Sequence, residues 1–428
     1  MSSAPTQQIP AWIASFTSPN YLNYVYRCLS ERESERQVAR YLSKAPNPAQ
    51  EAAATASGHS RGKPHLPELF KPDGGVSHYS VEIAFQRQNQ YRNRYRDVEP
   101  YDRTRVVVDV KRRRSLDGKA RNVEGKYLNA NWVLELFGHK WWIATQAPLP
   151  YTAHTFLSLL LQPVSPPLPS TSPSSPTQTR ATRIRTIVQL TMNIEHGRRK
   201  AHAYFPMDIG ESQVLSSDEE DVASSIKVTV LDIQSIEEAH CIKSTLRIVP
   251  VTPVRTAYED DANRGKHEDV YLEHTPEAVT VQHMLYTSWP DHGVPEVDDR
   301  SNLLAFLRLV DSTNRDPSQL HSDNAITLDP DPPIIVGCSA GIGRTGTFIA
   351  LSSLLRSFGL LPPAHTPSPS SVLPASPLGP LPHALKEDLV VQEVDSLREQ
   401  RPRMVERDEQ LLLIYEILAS ALHTAHNQ

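Results

Sequence analysis

The sequence predicts an α/β fold, a β-sheet covered by helices, and three observations carry that expectation. Runs rich in β-branched residues, VVVDV, KWWIATQ, IRTIVQLT, IKVTVLDI and TLRIVPV, follow one another after Tyr79 and have the character of strands. Beyond them NLLAFLRLV, TFIALSSLLRSF, EDLVVQEVDSLREQ and QLLLIYEILASAL place apolar residues at helical spacing. Within this second half a short apolar run, IIV, leads through a glycine-rich turn into a helix, IIVGCSAGIGRTGTF. A sheet buries its apolar faces most simply under such helices.

The chain has 428 residues and 39% hydrophobic content, enough for one large catalytic domain with extensions. Proline is the outlier at 36 residues, above a usual share of ~5%, and the excess belongs in linkers and insertions because proline interrupts helices and central strands. A net charge of -5 gives no general attraction to nucleic acid, so no nucleic-acid partner is expected. Cys28, Cys241 and Cys338 cannot all pair within one chain and show no zinc-type clustering, which fits a reducing compartment. Cytoplasm is the expected location, with the nucleus as a second. The start lacks a basic segment followed by an apolar one, and no stretch approaches the ~18 apolar residues of a membrane span, so neither secretion nor a span is expected.

Residues 1–75 read as a helical extension, YLNYVYRCLSERESERQVARYLS, followed by a loose linker, and residues 76–424 as the catalytic domain. Two proline-rich insertions, at about 162–181 and 361–382, are expected to be mobile surface segments that cannot pack. Ser165, Ser172, Ser175 and Thr366 precede prolines there, as kinase sites or as plain spacer residues. SSDEED (Ser216 to Asp221) is expected to be a solvated loop, and KRRR (Lys111 to Arg114) either a charged hairpin tip or a nuclear signal.

Cys338 and Arg344 are separated by Ser339, Ala340, Gly341, Ile342 and Gly343. A loop of this length between strand and helix can aim successive backbone N–H groups inward, where the helix N-terminus adds positive potential. A tetrahedral dianion fits such a nest. Gly341 and Gly343 permit close backbone approach, and the planar fork of Arg344 can grip two phosphate oxygens. A thiol at a helix N-terminus beside an arginine is activated as a thiolate, placed for in-line attack on phosphorus. The GK[ST] ending of a nucleotide-binding loop is absent. Upstream, TSWPDHGVPE sets Asp291 in a turn beside Trp289, a candidate acid on a flap. Expelling a phenolate of pKa ~10 calls for such an acid, worth about 10²- to 10⁴-fold. Cys28 and Cys241 have no comparable surroundings and read as packing or plain surface thiols.

WPDHGVP and CSAGIGRTGTF, with QYRNRYRDVEPYDRTRV, YLNANWV, WWIATQAPLP, IVQLTMNIEHGRRKAHAYFP and REQRPRMVERDEQ in order, resemble the tyrosine-specific protein tyrosine phosphatase family, in its intracellular form with a single catalytic domain. The resemblance implies a highly twisted mixed sheet flanked by helices, hydrolysis of phosphotyrosine in proteins through a cysteinyl-phosphate, no cofactor and no metal, and a monomer. It implies Cys338 as nucleophile, Arg344 as phosphate clamp, Asp291 as acid and then base, and Thr345 as the hydroxyl that stabilises the departing thiolate. Ser339, Ala340, Gly341, Ile342 and Gly343 would cradle the phosphate. Tyr95 would stack on the substrate ring in a deep pocket, Arg96 would favour acidic flanking residues, and Asp97 would accept from the peptide backbone. Glu195 and Lys200 match a loop beside the site, with Lys200 holding Asp291.

Two positions depart from the family pattern. Gly337 stands where a histidine precedes the nucleophile and would bond a tyrosine matching Tyr204, and its absence is expected to loosen the loop. Glu406 stands where a glutamine positions the hydrolytic water, so a carboxylate is expected to repel the phosphate unless protonated or turned outward, with Gln410 as a partial substitute. These departures leave open an alternative, a pseudophosphatase or phosphotyrosine-binding module with weak turnover.

Overall fold

The computed structural model describes residues 10–44, 75–111, 124–167, 182–217, 225–253, 271–291, 293–316, 318 and 329–427. Its strands are β1 (Arg105–Lys111), β2 (Glu124–Leu134), β3 (Trp141–Gln146), β4 (Thr186–Gln189), β5 (Ile194–Glu195) and β6 (Arg198–Arg199). They continue with β7 (Ser212–Ser216), β8 (Ser225–Ile236), β9 (Cys241–Pro253), β10 (Tyr271–Glu273), β11 (Val279–Tyr286) and β12 (Ile334–Cys338). The longer helices are α1 (Pro19–Ser43), α2 (Ala153–Leu161), α3 (Arg300–Arg315), α4 (Gly343–Ser357), α5 (Leu389–Gln400) and α6 (Asp408–His426).

The described strands form a ten-stranded mixed sheet in the order β1-β2-β3-β12-β4-β11-β9-β8-β7, with β10 added to β9, while β5 and β6 make a separate hairpin. The central pairs β3–β12, β12–β4 and β4–β11 are parallel, and the flanking pairs are antiparallel. β12 explains its own place. Ile334, Ile335 and Val336 are all buried, as a strand covered on both faces requires. Side chains alternate, so Ile334, Val336 and Cys338 enter the core under α3 to α6, whereas Ile335 enters the core under α2. The fold is thus the α/β arrangement the sequence predicts, a mixed twisted sheet flanked by helices.

The N-terminal helix is not set apart from the body. Val25, Cys28 and Leu29 of α1 join the same core as α4 to α6. Arg32 and Arg36 pair with Asp395 of α5, and Arg36 also reaches Glu399 at 2.7 Å. Asp388 caps α5 by accepting from the amides of Val390 and Val391 at 2.9 and 3.1 Å, and it also accepts from Tyr21 and Tyr415. The linker expected after this helix lies in residues 45–74, outside the described residues, as do residues 168–181 of the first insertion.

The second insertion corrects the expectation that it cannot pack. Leu361 is buried in the main core, Ser368 accepts from Trp141 Nε1 at 2.8 Å, and Ser376 donates to Glu399 at 2.9 Å. Arg32 donates to the carbonyls of Leu378 and Gly379, and Arg315 to that of Pro363. The physical reason lies in proline itself. With φ already fixed, proline leaves less backbone entropy to lose, and its carbonyl remains available to donors on the folded body. Among the described residues no helix is long and apolar enough to cross a membrane.

Candidate active site

β12 ends at Cys338 and α4 begins at Gly343, so the predicted loop bridges a strand and a helix N-terminus. Its curl requires glycine at 341, where φ is +72° and a Cβ would lie 2.1 Å from the Thr145 carbonyl oxygen. Arg401, fully buried, donates to the carbonyls of Gly341 at 2.7 Å and Ala340 at 3.1 Å, and to the side chains of Asn131 and Asn129. In a trans peptide the N–H points opposite to the carbonyl. Tying these carbonyls to Arg401 therefore turns the Gly341 and Ile342 amides the other way, and Gly341 N–H donates to Cys338 Sγ at 3.3 Å. Burial pushes Arg401 down to about 10, with Tyr127 and Cys338 opposing; it remains a cation beneath the loop at neutral pH.

Arg344 is held in a fixed pose. Glu195 accepts from both of its terminal nitrogens, at 2.7 and 2.8 Å, and the carbonyls of Leu190 and Pro290 accept at 3.0 and 2.7 Å. The β5–β6 hairpin thus presents Glu195 to the guanidinium. The same hairpin leads to Lys200, which pairs with Asp291 Oδ1. Asp291 lies 3.9 Å from Arg344 Nη2 with only 3% of its side chain exposed, so the flap segment sits inside the site. Trp289 anchors that segment, buried and edge-on to Tyr286. Thr345 is also buried, and its Oγ1 has no hydrogen-bond partner among the described residues.

Cys338, Arg344, Glu195, Lys200 and Asp291 line a cavity of ≈ 200 Å³, together with Tyr95, Ser339, Ala340, Ile342, Gly343 and Gln410, whereas Gly341 and Thr345 are not part of its lining. Tyr95 stands at its mouth and shares a 2.8 Å hydrogen bond with Ser339 Oγ, which donates to the Lys200 carbonyl. Arg96 is exposed and lies outside the lining. Asp97 and Glu406 both engage Arg403, at 2.5 and 2.6 Å. The Glu406 carboxylate, expected to confront the phosphate, is therefore paired with a cation that it shares with Asp97, and sequence reasoning missed that cation, as it missed Arg401. Gln410 is buried and accepts from the Arg407 amide at 3.3 Å.

Gly337 faces away from this pocket. A Cβ there would lie 2.8 Å from the Thr145 carbonyl oxygen, and behind it a cavity of ≈ 20 Å³ opens toward Tyr204, Phe156 and Gln189. That volume holds about one water-sized sphere. Tyr204 is packed edge-on against Phe156 and Phe205 instead of being tied to the loop. Arg401 braces the same loop through the Gly341 and Ala340 carbonyls.

The protein-tyrosine phosphatase family model matches residues 89–165 and 179–360, more than half of the chain, and the chain belongs to that family. It is 28% identical over 360 residues to Tyrosine-protein phosphatase Lar-like of Caenorhabditis elegans, covering 82% of this chain and 11% of that protein. Similarity to human Receptor-type tyrosine-protein phosphatase H is 31% over 289 residues, covering 66% of this chain and 19% of the relative. Human Tyrosine-protein phosphatase non-receptor type 2 is 28% identical over 277 residues, covering 65% and 49%. The chain thus matches about half or less of the length of each of these relatives, which include receptor and non-receptor forms alike.

Proposed function

We propose that this chain hydrolyses phosphotyrosine in proteins through a cysteinyl-phosphate intermediate. The observation that carries the reading is the convergence on one cavity of Cys338 and Arg344, from one loop, with Asp291 and Tyr95, from two other segments. Cys338 Sγ attacks phosphorus in line while the bond from phosphorus to the tyrosyl oxygen breaks. The loop amides and Arg344 bear the charge on the phosphoryl oxygens. Asp291, held by Lys200, gives its proton to the departing phenolate. A water then attacks phosphorus and passes its proton to Asp291, the sulfur–phosphorus bond breaks, and inorganic phosphate leaves. The partnerless hydroxyl of Thr345 is the donor available to the regenerated thiolate. Ser339, Ala340, Gly341, Ile342 and Gly343 cradle the phosphate, and Tyr95 stacks on the substrate ring. Asp97 and Gln410 position peptide and water, and Arg96 stands outside the pocket, where it meets acidic flanking residues. No metal or cofactor is required by this sequence of steps.

The form we propose is an intracellular, non-receptor phosphatase that acts as a monomer in the cytoplasm. The free state of Cys28, Cys241 and Cys338 supports a reducing compartment. The rival, a capture module with weak turnover, draws on Glu406, and the pairing of Glu406 with Arg403 weakens it. Hydrolysis of phosphotyrosine and phosphothreonine peptides by wild type, Cys338→Ser and Asp291→Ala separates the two. Wild type is expected to prefer phosphotyrosine, Cys338→Ser to be inert, and Asp291→Ala to be slower by about 10²- to 10⁴-fold. Tight peptide binding with no measurable wild-type turnover would favour the capture module instead.

A further inference from the structure

The segment between α5 and α6 holds Arg403 at φ +57° and Val405 at φ +55°. Both lie in the left-handed region that non-glycine residues avoid, a cost that persists only where the surroundings enforce it. What this conformation achieves is specific. It turns the Arg403 guanidinium so that Nη1 donates to Asp97 Oδ2 at 2.5 Å and Nη2 to Glu406 Oε1 at 2.6 Å, joining two walls of the cavity that holds Cys338. Asp97 precedes β1 in the chain and Glu406 precedes α6, so Arg403 spans elements that are distant in sequence.

We propose that Arg403 is a positioning residue that holds the Glu406 carboxylate off the incoming phosphate. The proposal rests on the hydrolase reading above. A phosphate dianion entering a cavity that an unpaired carboxylate lines meets like-charge repulsion, softened but not removed by solvent at a side chain that is 32% exposed. With its fork shared between Asp97 and Glu406, Arg403 offsets one of the two negative charges and fixes the direction of Glu406. The loop amides and Arg344 then remain the groups that face the anion. The arrangement makes Glu406 tolerable in the pocket, and with that carboxylate gone Arg403 keeps only its bond to Asp97, whose side chain is 70% exposed and therefore screened by solvent.

The test is a double-mutant cycle of Arg403→Gly and Glu406→Gln, read by kcat and KM on an aryl phosphate and by the Kd for vanadate, a phosphate-shaped oxyanion. Glycine is at home at φ +57°, so the substitution removes the guanidinium without adding backbone strain. Arg403→Gly is expected to weaken vanadate binding and lower kcat/KM by about tenfold in the native background, and by less than about twofold when Glu406 is already glutamine. Equal losses in both backgrounds, or no change in vanadate affinity on Arg403→Gly, would overturn the proposal. This vanadate pattern across the cycle, with a wild type that hydrolyses no phosphotyrosine, supports the charge clamp and overturns the hydrolase reading, so the two failures are distinguishable.

Discussion

Arg344 meets its ligand already oriented, because Glu195 and two backbone carbonyls occupy its donors before any phosphate arrives. A guanidinium has five N–H donors, and these contacts engage both terminal nitrogens, so the pose is set in advance. Nε–H is left to meet the phosphate without rearrangement, and a second bond to a phosphoryl oxygen replaces one of the present partners. The residues of this loop were legible in the sequence because nucleophile, nest and clamp lie within one short segment. Arg401 and Arg403 were not, although both stand in the quoted stretch REQRPRMVERDEQ. Their meaning comes from Asn129, Asn131, Ala340, Gly341 and Asp97, which approach only in the folded chain. Gly337 gives a prediction of its own. With the Thr145 carbonyl 2.8 Å from where a Cβ would stand, Gly337→His forces β3 and β12 apart. The variant is expected to lose roughly 1–3 kcal/mol of stability in urea unfolding. Stability equal to wild type would mean that the strands yield freely and that the small cavity beside Tyr204 receives the ring.

α1 and α5 are joined by a buried ionic network centred on Glu399, which accepts from Arg36, Tyr79 and Ser376 and pairs with His78. Burial pushes this carboxyl up, but the His78 hydrogen bond and the Arg36 charge, with bonds from Arg36 and Tyr79, outweigh it and hold it at about 2 against an ordinary 4.5. The unfolded chain therefore takes up the proton first. The stabilisation is whole above about pH 4.5 and is lost as pH falls toward about 2. A shift of this size is worth roughly 3 kcal/mol. Glu399→Gln is expected to be less stable than wild type at neutral pH, with the difference closing in the acid range, and a gap independent of pH would contradict the assignment. Other elements were uneven in legibility. The β-branched strands and the amphipathic helices announce themselves, but β11 hides its period behind the buried polar residues Gln282 and His283. The burial of α1 was not legible either, because its docking face is built from arginines as well as apolar residues. Composition pointed to mobility for the second proline-rich insertion, where the donors that order it belong to Arg32 and Arg315 elsewhere in the chain.

The sheet order explains why the site forms where it does. β3, β12, β4 and β11 run parallel at the centre, so Gln146, Cys338, Gln189 and Tyr286 end at the same edge. Ligands in α/β folds bind outside the carboxyl ends of parallel strands. From that edge β12 delivers the nucleophile loop, β11 runs on into the flap with Asp291, β4 precedes the hairpin with Glu195, and the α5–α6 connection closes the far side with Arg403 and Glu406. The site is thus a property of the assembled sheet, and its separate pieces point to one reaction only when they meet. The account depends most on Cys338 becoming covalently attached to phosphorus. Mixing the full chain with a phosphotyrosine peptide carrying radiolabelled phosphate, quenching in denaturant within the first turnover and mapping the label by proteolysis tests this directly. The account predicts label on the fragment that contains Cys338, with none in Cys338→Ser. Turnover without bound label, or label on another residue, would contradict it.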